Sequence, residues 1–235
     1  MTSQIIDDAC IQLIDTARSF YQQGWMVGTA GNLSIRLPDD SFLITASGKS
    51  KGELLASDFV RVYSDGSLEK ASADLQPSAE TAIHQIIYTL FPEAQACYHI
   101  HSVESNLVSR FVLEDHLPLP PLEMLKGLGV YQENPCCFLP IFANHLQVAR
   151  IASDIQQRFT ANSVQIPALL IRDHGVTTWA SSPTAARNYI EILEYIFRYI
   201  VTEHMISGGR RGDKQKITNP KPQTANTTHP IPNIK

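Results

Sequence analysis

Two histidines one residue apart, in Ala96-Cys97-Tyr98-His99-Ile100-His101-Ser102, are the side chains of this chain best suited to chemistry. Along a β-strand alternate side chains share a face, so His99 and His101 set two imidazoles side by side. Nitrogen donors with a common aim suit a divalent cation such as zinc. Two ordinary strand histidines would leave the same pattern, so the reading depends on a third donor. Pro167-Ala168-Leu169-Leu170-Ile171 has the apolar run of a buried strand, and it ends at Arg172-Asp173-His174-Gly175. Val176-Thr177-Thr178-Trp179 continues as the next strand. His174, beside a glycine between two strands, can swing toward the His99/His101 face. Three histidines with an open fourth position are the catalytic form of zinc coordination.

Other stretches carry chemistry less specifically. Gly28-Thr29-Ala30-Gly31-Asn32-Leu33-Ser34 precedes a strand, and its backbone N–H groups are able to receive an anion. A tight turn that needs glycine accounts for the same residues. Thr45-Ala46-Ser47-Gly48-Lys49-Ser50-Lys51-Gly52 combines hydroxyls, glycines and two lysines, as a phosphate cradle would, although its spacing is not that of a Walker A loop. A solvated basic loop is the plainer alternative. Gln76-Pro77-Ser78-Ala79-Glu80 opens a helix that runs to about Leu90, with Ser78 placed as N-cap and Glu80 in the positive first turn. Those roles explain both residues without any chemistry, and His84 on the same helix reads as a surface or packed histidine. Glu123 and Lys126 have the spacing of an i, i+3 ion pair on a surface.

The elements that must position these residues alternate between the two periodicities. Ile6, Ala9, Leu13, Ala17 and Phe20 recur at spacings of three and four, which predicts an amphipathic helix over 5–21. Leu33, Ile35 and Leu37, a turn at Pro38-Asp39-Asp40, and Phe42-Leu43-Ile44 predict a hairpin. Phe59 to Tyr63, a turn at Asp65-Gly66, and Leu68 onward predict a second one. A short helix is expected over 103–111, a break at Pro118-Leu119-Pro120-Pro121, a strand at 138–141 and a helix over 144–159. Ser182-Pro183 starts a final helix to about Ile206. The expected domain is 1–207, followed by a Pro-, Thr- and Asn-rich tail, 208–235, whose composition predicts disorder.

Composition excludes several classes. A chain of 235 residues can bury one good core, and its net charge is only −4. No basic stripe is present to meet phosphates of nucleic acid, and no segment reads as a membrane span or a secretory signal. The four cysteines form neither a C-x-x-C pair nor a disulfide framework, which fits a reducing cytoplasm.

Taken in order, Gly31-Asn32-Leu33-Ser34, Thr45-Ala46-Ser47-Gly48, Pro77-Ser78-Ala79-Glu80, His99-Ile100-His101-Ser102 and His174-Gly175 resemble the class II aldolase/adducin family over roughly residues 5–205. The resemblance implies a three-layer α/β/α sandwich around a central, mostly antiparallel sheet. It implies one zinc per subunit on His99, His101 and His174, a phosphorylated sugar as substrate, and a homotetramer with its active site at a subunit interface. Asn32, Ser47, Gly48 and Ser78 match family positions near the phosphate, although Ala79 stands where aldolases of the family often carry a second serine. Leu122-Glu123-Met124-Leu125-Lys126-Gly127 and Arg172-Asp173-His174-Gly175-Val176 resemble the sugar-phosphate dehydratases of the family. That likeness implies Glu123 as catalytic acid/base, with Glu80, the proton-transfer residue of the aldolases, as its competitor. An aldolase or pentulose-phosphate epimerase on the same fold and a non-catalytic adducin-like interaction domain are the rival readings.

Overall fold

The computed structural model describes residues 3–70 and 75–208. Helix α1 (Ser3–Gln22) follows the expected period, and Ala9, Leu13, Ala17 and Phe20 are all buried along one stripe. The hairpin forms as β1 (Asn32–Arg36) and β2 (Phe42–Thr45), and β3 (Phe59–Val62) adds to its outer edge. Across the Asp65-Gly66 turn the expected second hairpin is closed by backbone bonds from Tyr63 N–H to Ser67 and from Glu69 N–H to Arg61, with one isolated bridge, Val62 to Leu68, among the described residues. Next come α2 (Thr81–Leu90), β4 (Ala96–Ile100) and α3 (Val103–Val108).

Strand β5 (His116–Leu119) occupies the expected break, with Pro118 paired opposite Phe138. Proline cannot donate to a ladder, but β5 is an edge strand and needs no donor on its outer side. A 3-10 helix (Glu123–Leu128), β6 (Cys137–Phe142), α4 (Val148–Ala161), β7 (Ala168–Ile171), β8 (Gly175–Ala180) and α5 (Pro183–Gly208) complete the described chain. The expected domain boundary therefore falls in the last residues of α5. The tail beyond residue 208 lies outside the described residues.

One eight-stranded sheet runs in the order β3-β2-β1-β4-β8-β7-β6-β5. Every neighbouring pair in it is antiparallel except β6 with β7. The alternation of its strands divides the core in two. Leu33, Ile35, Ala96, Tyr98 and Ile100 pack with Leu13, Phe20, Ile190 and Phe197 of α1 and α5. On the other face Ile44, Cys97 and Trp179 pack with Ile83 and Ile87 of α2 and Ile151 and Ile155 of α4. This is the three-layer sandwich expected from the sequence. No helix among the described residues is long and apolar enough to cross a membrane.

Helix α5 also buries a carboxyl. Glu194 accepts a hydrogen bond from Ser102 Oγ at 2.7 Å, and burial pushes its pKa up to about 8. In the unfolded chain the group ionises near its ordinary value, so between about 4.5 and about 8 the folded state alone holds the proton. Its contribution is thus complete in acid and lost as pH rises to about 8. Glu194→Gln, neutral at every pH, should shrink the difference in urea midpoint between pH 5 and pH 9. An unchanged difference would place the slope elsewhere.

Candidate metal centre

The sheet's register builds the site. Strand β4 sends Tyr98 and Ile100 to the α1/α5 face, and its alternation puts His99 on the α2 face, where it is 1 % exposed. His101 continues the alternation just past the strand end, its backbone N–H held by the Trp25 carbonyl at 2.9 Å. Strand β8 pairs with β4 and sets Thr177 opposite His99. The turn from β7 into β8 carries His174. Asp173 takes a left-handed φ of 56°, and its N–H donates to Ser109 Oγ at 3.0 Å. The Arg172 guanidinium donates to the carbonyls of Ser109, Val112 and Glu114, which ties the same turn to the chain after α3.

Gly175 opens β8 directly beneath the imidazoles. A Cβ there would lie 2.1 Å from the Ile100 carbonyl oxygen and 3.0–3.1 Å from ring atoms of His101 and His99. Gly175→Ala should therefore push β8 off β4 and disperse the three rings, at a cost of about 1–3 kcal/mol, the usual scale of overpacking. A denaturant midpoint equal to that of the unaltered protein would contradict this.

The fourth member of the site comes from α2. The structure corrects the helix start: Glu80, not Ser78, is the N-cap residue, and no side chain caps the helix. Ser78 forms a turn ahead of it, accepting from Glu80 N–H at 3.2 Å. Glu80 is buried, and its side chain turns away from the helix end toward the histidines. Its Oε1 lies 2.5 Å from His174 Nε2, and its Oε2 lies 3.4 Å from His99 Nε2. His99 and His101 face each other Nε2 to Nε2 at 2.8 Å. One donor atom from each of Glu80, His99, His101 and His174 lies within 4.8 Å of all the others.

These donors fit a cation. His99 Nδ1 is 2.8 Å from Thr177 Oγ1, and an N–H given to that hydroxyl leaves a bare lone pair on Nε2. Burial pushes the pKa of His99 well down and that of His101 to about 4, so both rings are neutral near pH 7. Burial alone would raise the Glu80 pKa, but His99, His174 and His101 together hold it well below the carboxylate range. Imidazole lone pairs and a carboxylate converging on one point repel unless positive charge sits between them. A divalent metal ion supplies that charge.

The remaining expected residues are distributed around this cluster. Ser47 N–H donates to the Gln76 carbonyl at 2.9 Å, and Ala46 bridges Pro77, so the Ser47-Gly48 loop lies against the Ser78 segment. Lys51 is not part of a solvated loop. It is 2 % exposed, and its Nζ donates to the carbonyls of Thr29 at 2.7 Å and Lys49 at 2.8 Å, joining the two glycine-containing loops. Burial lowers its pKa to about 8. Asn32 is buried, with its amide engaged by Glu80 and His84.

Glu123 is not among the clustered donors. It is exposed on the 3-10 helix, paired with Lys126 Nζ at 2.7 Å, and borders a cavity of about 330 Å3 that Tyr131 and Asn134 also line. The i, i+3 pair read from the sequence is present. Of the two readings open for its loop, a phosphate cradle or a solvated basic loop, buried Lys51 excludes the second, and His84 is packed rather than on the surface.

A histidine cluster of this kind, between a helix start and a sheet of this order, defines a class. The profile of the Class II Aldolase and Adducin N-terminal domain matches residues 11–201, and the chain belongs to that family. The L-fuculose-1-phosphate aldolase of Thermus thermophilus shares the fold, with a TM-score of 0.69 at 22 % identity over 86 % of this chain and 98 % of its own. Within the family the chain is most informatively compared with methylthioribulose-1-phosphate dehydratases. That of Microcystis aeruginosa is 59 % identical over 202 residues, 86 % of this chain and 98 % of the relative. That of Leptospira biflexa is 42 % identical over 187 residues, 76 % of this chain and 90 % of the relative.

Proposed function

We infer that this chain is a hydro-lyase that dehydrates 5-methylthioribulose 1-phosphate to 2,3-diketo-5-methylthiopentyl 1-phosphate, a step of methionine salvage. The observation that carries this is the 59 % identity to a dehydratase of that name across nearly its whole length. The cluster of three histidines and a glutamate is the chemistry such a reaction needs.

The reaction removes a proton from the carbon next to the ketone and a hydroxide from the carbon beyond it, and the resulting enol ketonises. The metal we propose is zinc, one per subunit, because three of the four donors are imidazoles. When bound, it supplies Lewis acidity at the sugar's carbonyl, worth several kcal/mol. Glu80, held against the histidines, completes the cage until the sugar's oxygen takes that position, and it contributes its negative charge. Asn32, Ser47, Gly48 and Ser78 are proposed to surround the phosphate. For Asn32 this leaves only the amide hydrogen not given to Glu80.

Glu123 is proposed as the general acid for the departing hydroxyl. Its distance from the cluster within one chain is explained by a homotetramer whose sites are shared between neighbours, so that one subunit's 3-10 helix faces the next subunit's histidines. A cytoplasmic location is supported by four cysteines that all remain unpaired.

Incubating the purified protein with the methylthio sugar phosphate tests the activity. The diketo product, detected by mass spectrometry as loss of one water, is the expected result. Two smaller carbonyl fragments would instead reveal an aldolase, and an isomer of unchanged mass an epimerase.

A further inference from the structure

Behind the cluster a buried polar ladder runs from Glu80 and Asn32 to His84, Ser34, Tyr88 and Arg36, four residues that the dehydration chemistry does not use. Glu80, His84 and Tyr88 are spaced i, i+4, i+8 and so share one face of the α2 segment. Asn32, Ser34 and Arg36 are spaced i, i+2, i+4 and share one face of β1. Four helical residues rise about 6 Å and two strand residues about 6.8 Å, so the two rows mesh.

The contacts alternate between the rows. Asn32 Nδ2 donates to Glu80 Oε2, and Asn32 Oδ1 lies 2.5 Å from His84 Nε2. His84 Nδ1 lies 2.7 Å from Ser34 Oγ, which lies 2.7 Å from the Tyr88 hydroxyl and 3.3 Å from the Cys97 carbonyl. Arg36 closes the far end, with its guanidinium 4.8 Å from the Tyr88 ring centre and donating to the Tyr88 and Pro92 carbonyls. Ser34 and His84 are fully buried.

Donors and acceptors along the ladder are determined in sequence. An ionised carboxylate only accepts, so Asn32 must turn its N–H to Glu80 and its oxygen to His84. His84 must then carry its proton on Nε2 and leave Nδ1 to accept from Ser34, which in turn accepts from Tyr88. Each bond depends on the one behind it. With the His84 proton on Nδ1 instead, two lone pairs would face each other at 2.5 Å and the Asn32 amide would flip its oxygen onto Glu80.

We propose that His84, buried between Asn32 and Ser34 in the one tautomer that the Glu80 end of the ladder allows, is a positioning residue that holds Asn32, and through it Glu80, in the orientation that completes the metal cage. This rests on reading the cluster as a metal site. Groups behind a metal ligand typically control affinity or activity by about 10- to 100-fold when removed.

The test is zinc competition against a chromophoric chelator on the full-length protein, with melting temperature recorded in parallel. His84→Phe should weaken zinc binding at least about tenfold, and Ser34→Ala, a smaller change should His84→Phe not fold, by a lesser factor in the same direction. His84→Gln, whose amide nitrogen can replace the Nε2 donor, should recover most of the affinity. Unchanged zinc affinity in both His84→Phe and Ser34→Ala, even with a lower melting temperature, would make the ladder merely structural and overturn the proposal. Failure of His84→Gln to recover affinity lost in His84→Phe would also overturn it. An unaltered protein that takes up no zinc would overturn the metal reading itself, and this inference with it.

Discussion

The His99→Ala protein is expected to lose most of its bound metal and to dehydrate the sugar phosphate about a thousandfold more slowly, while remaining folded. His99 is the most enclosed of the three imidazoles and is the one anchored from behind, by Thr177. Its Nε2 lies within 3.4 Å of both His101 Nε2 and Glu80 Oε2, so its removal opens the cage on two sides. Lewis-acid stabilisation worth several kcal/mol corresponds to about three powers of ten in rate. The fold should survive because the strand keeps its backbone ladder to β1 and β8, and the removed ring leaves a polar space that water can fill. Elemental analysis and circular dichroism of the variant check both halves. Metal near one equivalent per chain in His99→Ala would show that the ion sits elsewhere.

The two carboxylates should separate in their effects. Glu123→Gln is expected to keep metal and oligomeric state but to lose turnover by about a hundredfold or more, the scale of a missing general acid. Nothing in the described chain makes Glu123 structurally necessary, since it is 82 % exposed and its single ion pair with Lys126 is worth little at a surface. Glu80→Gln should instead lose metal and activity together, because its carboxylate lies within the cage. Mixing makes the shared site testable. Glu123→Gln and His99→Ala are each expected to be strongly impaired alone, but hybrids refolded from both would contain some interfaces with an intact cluster from one chain and an intact Glu123 from the other. Recovered activity in the hybrids is expected. None would mean that Glu123 does not act across a subunit boundary, and near-normal turnover in Glu123→Gln would remove it from the chemistry altogether.

Local patterns in the chain determined a good deal of this by themselves. The strand period put His99 and His101 on related aims, the glycine between two strands let His174 swing toward them, and the three-and-four spacing of Leu13, Ala17 and Phe20 set the buried stripe of α1. Each is a property of residues a few positions apart, which the backbone geometry of one element converts directly into direction. The order of motifs also indicated the family, and with it the sandwich. Tertiary packing decided what local geometry could not. Pro118 argued against a strand until the sheet order put it on an edge. Glu80 had a sufficient role at a helix start until the helix began two residues later and its side chain faced three imidazoles. For Lys51 a phosphate cradle and a solvated loop both stayed open until two loops were seen to close over it. His84 could be called packed, but its purpose depends on the register between α2 and β1, elements about fifty residues apart. Ile83 and Ile87 pack against the same face of the sheet, so apolar contacts outside the ladder also hold the two elements together. A donor's partner across such a gap is a product of how two surfaces mesh, and no spacing within either segment encodes it.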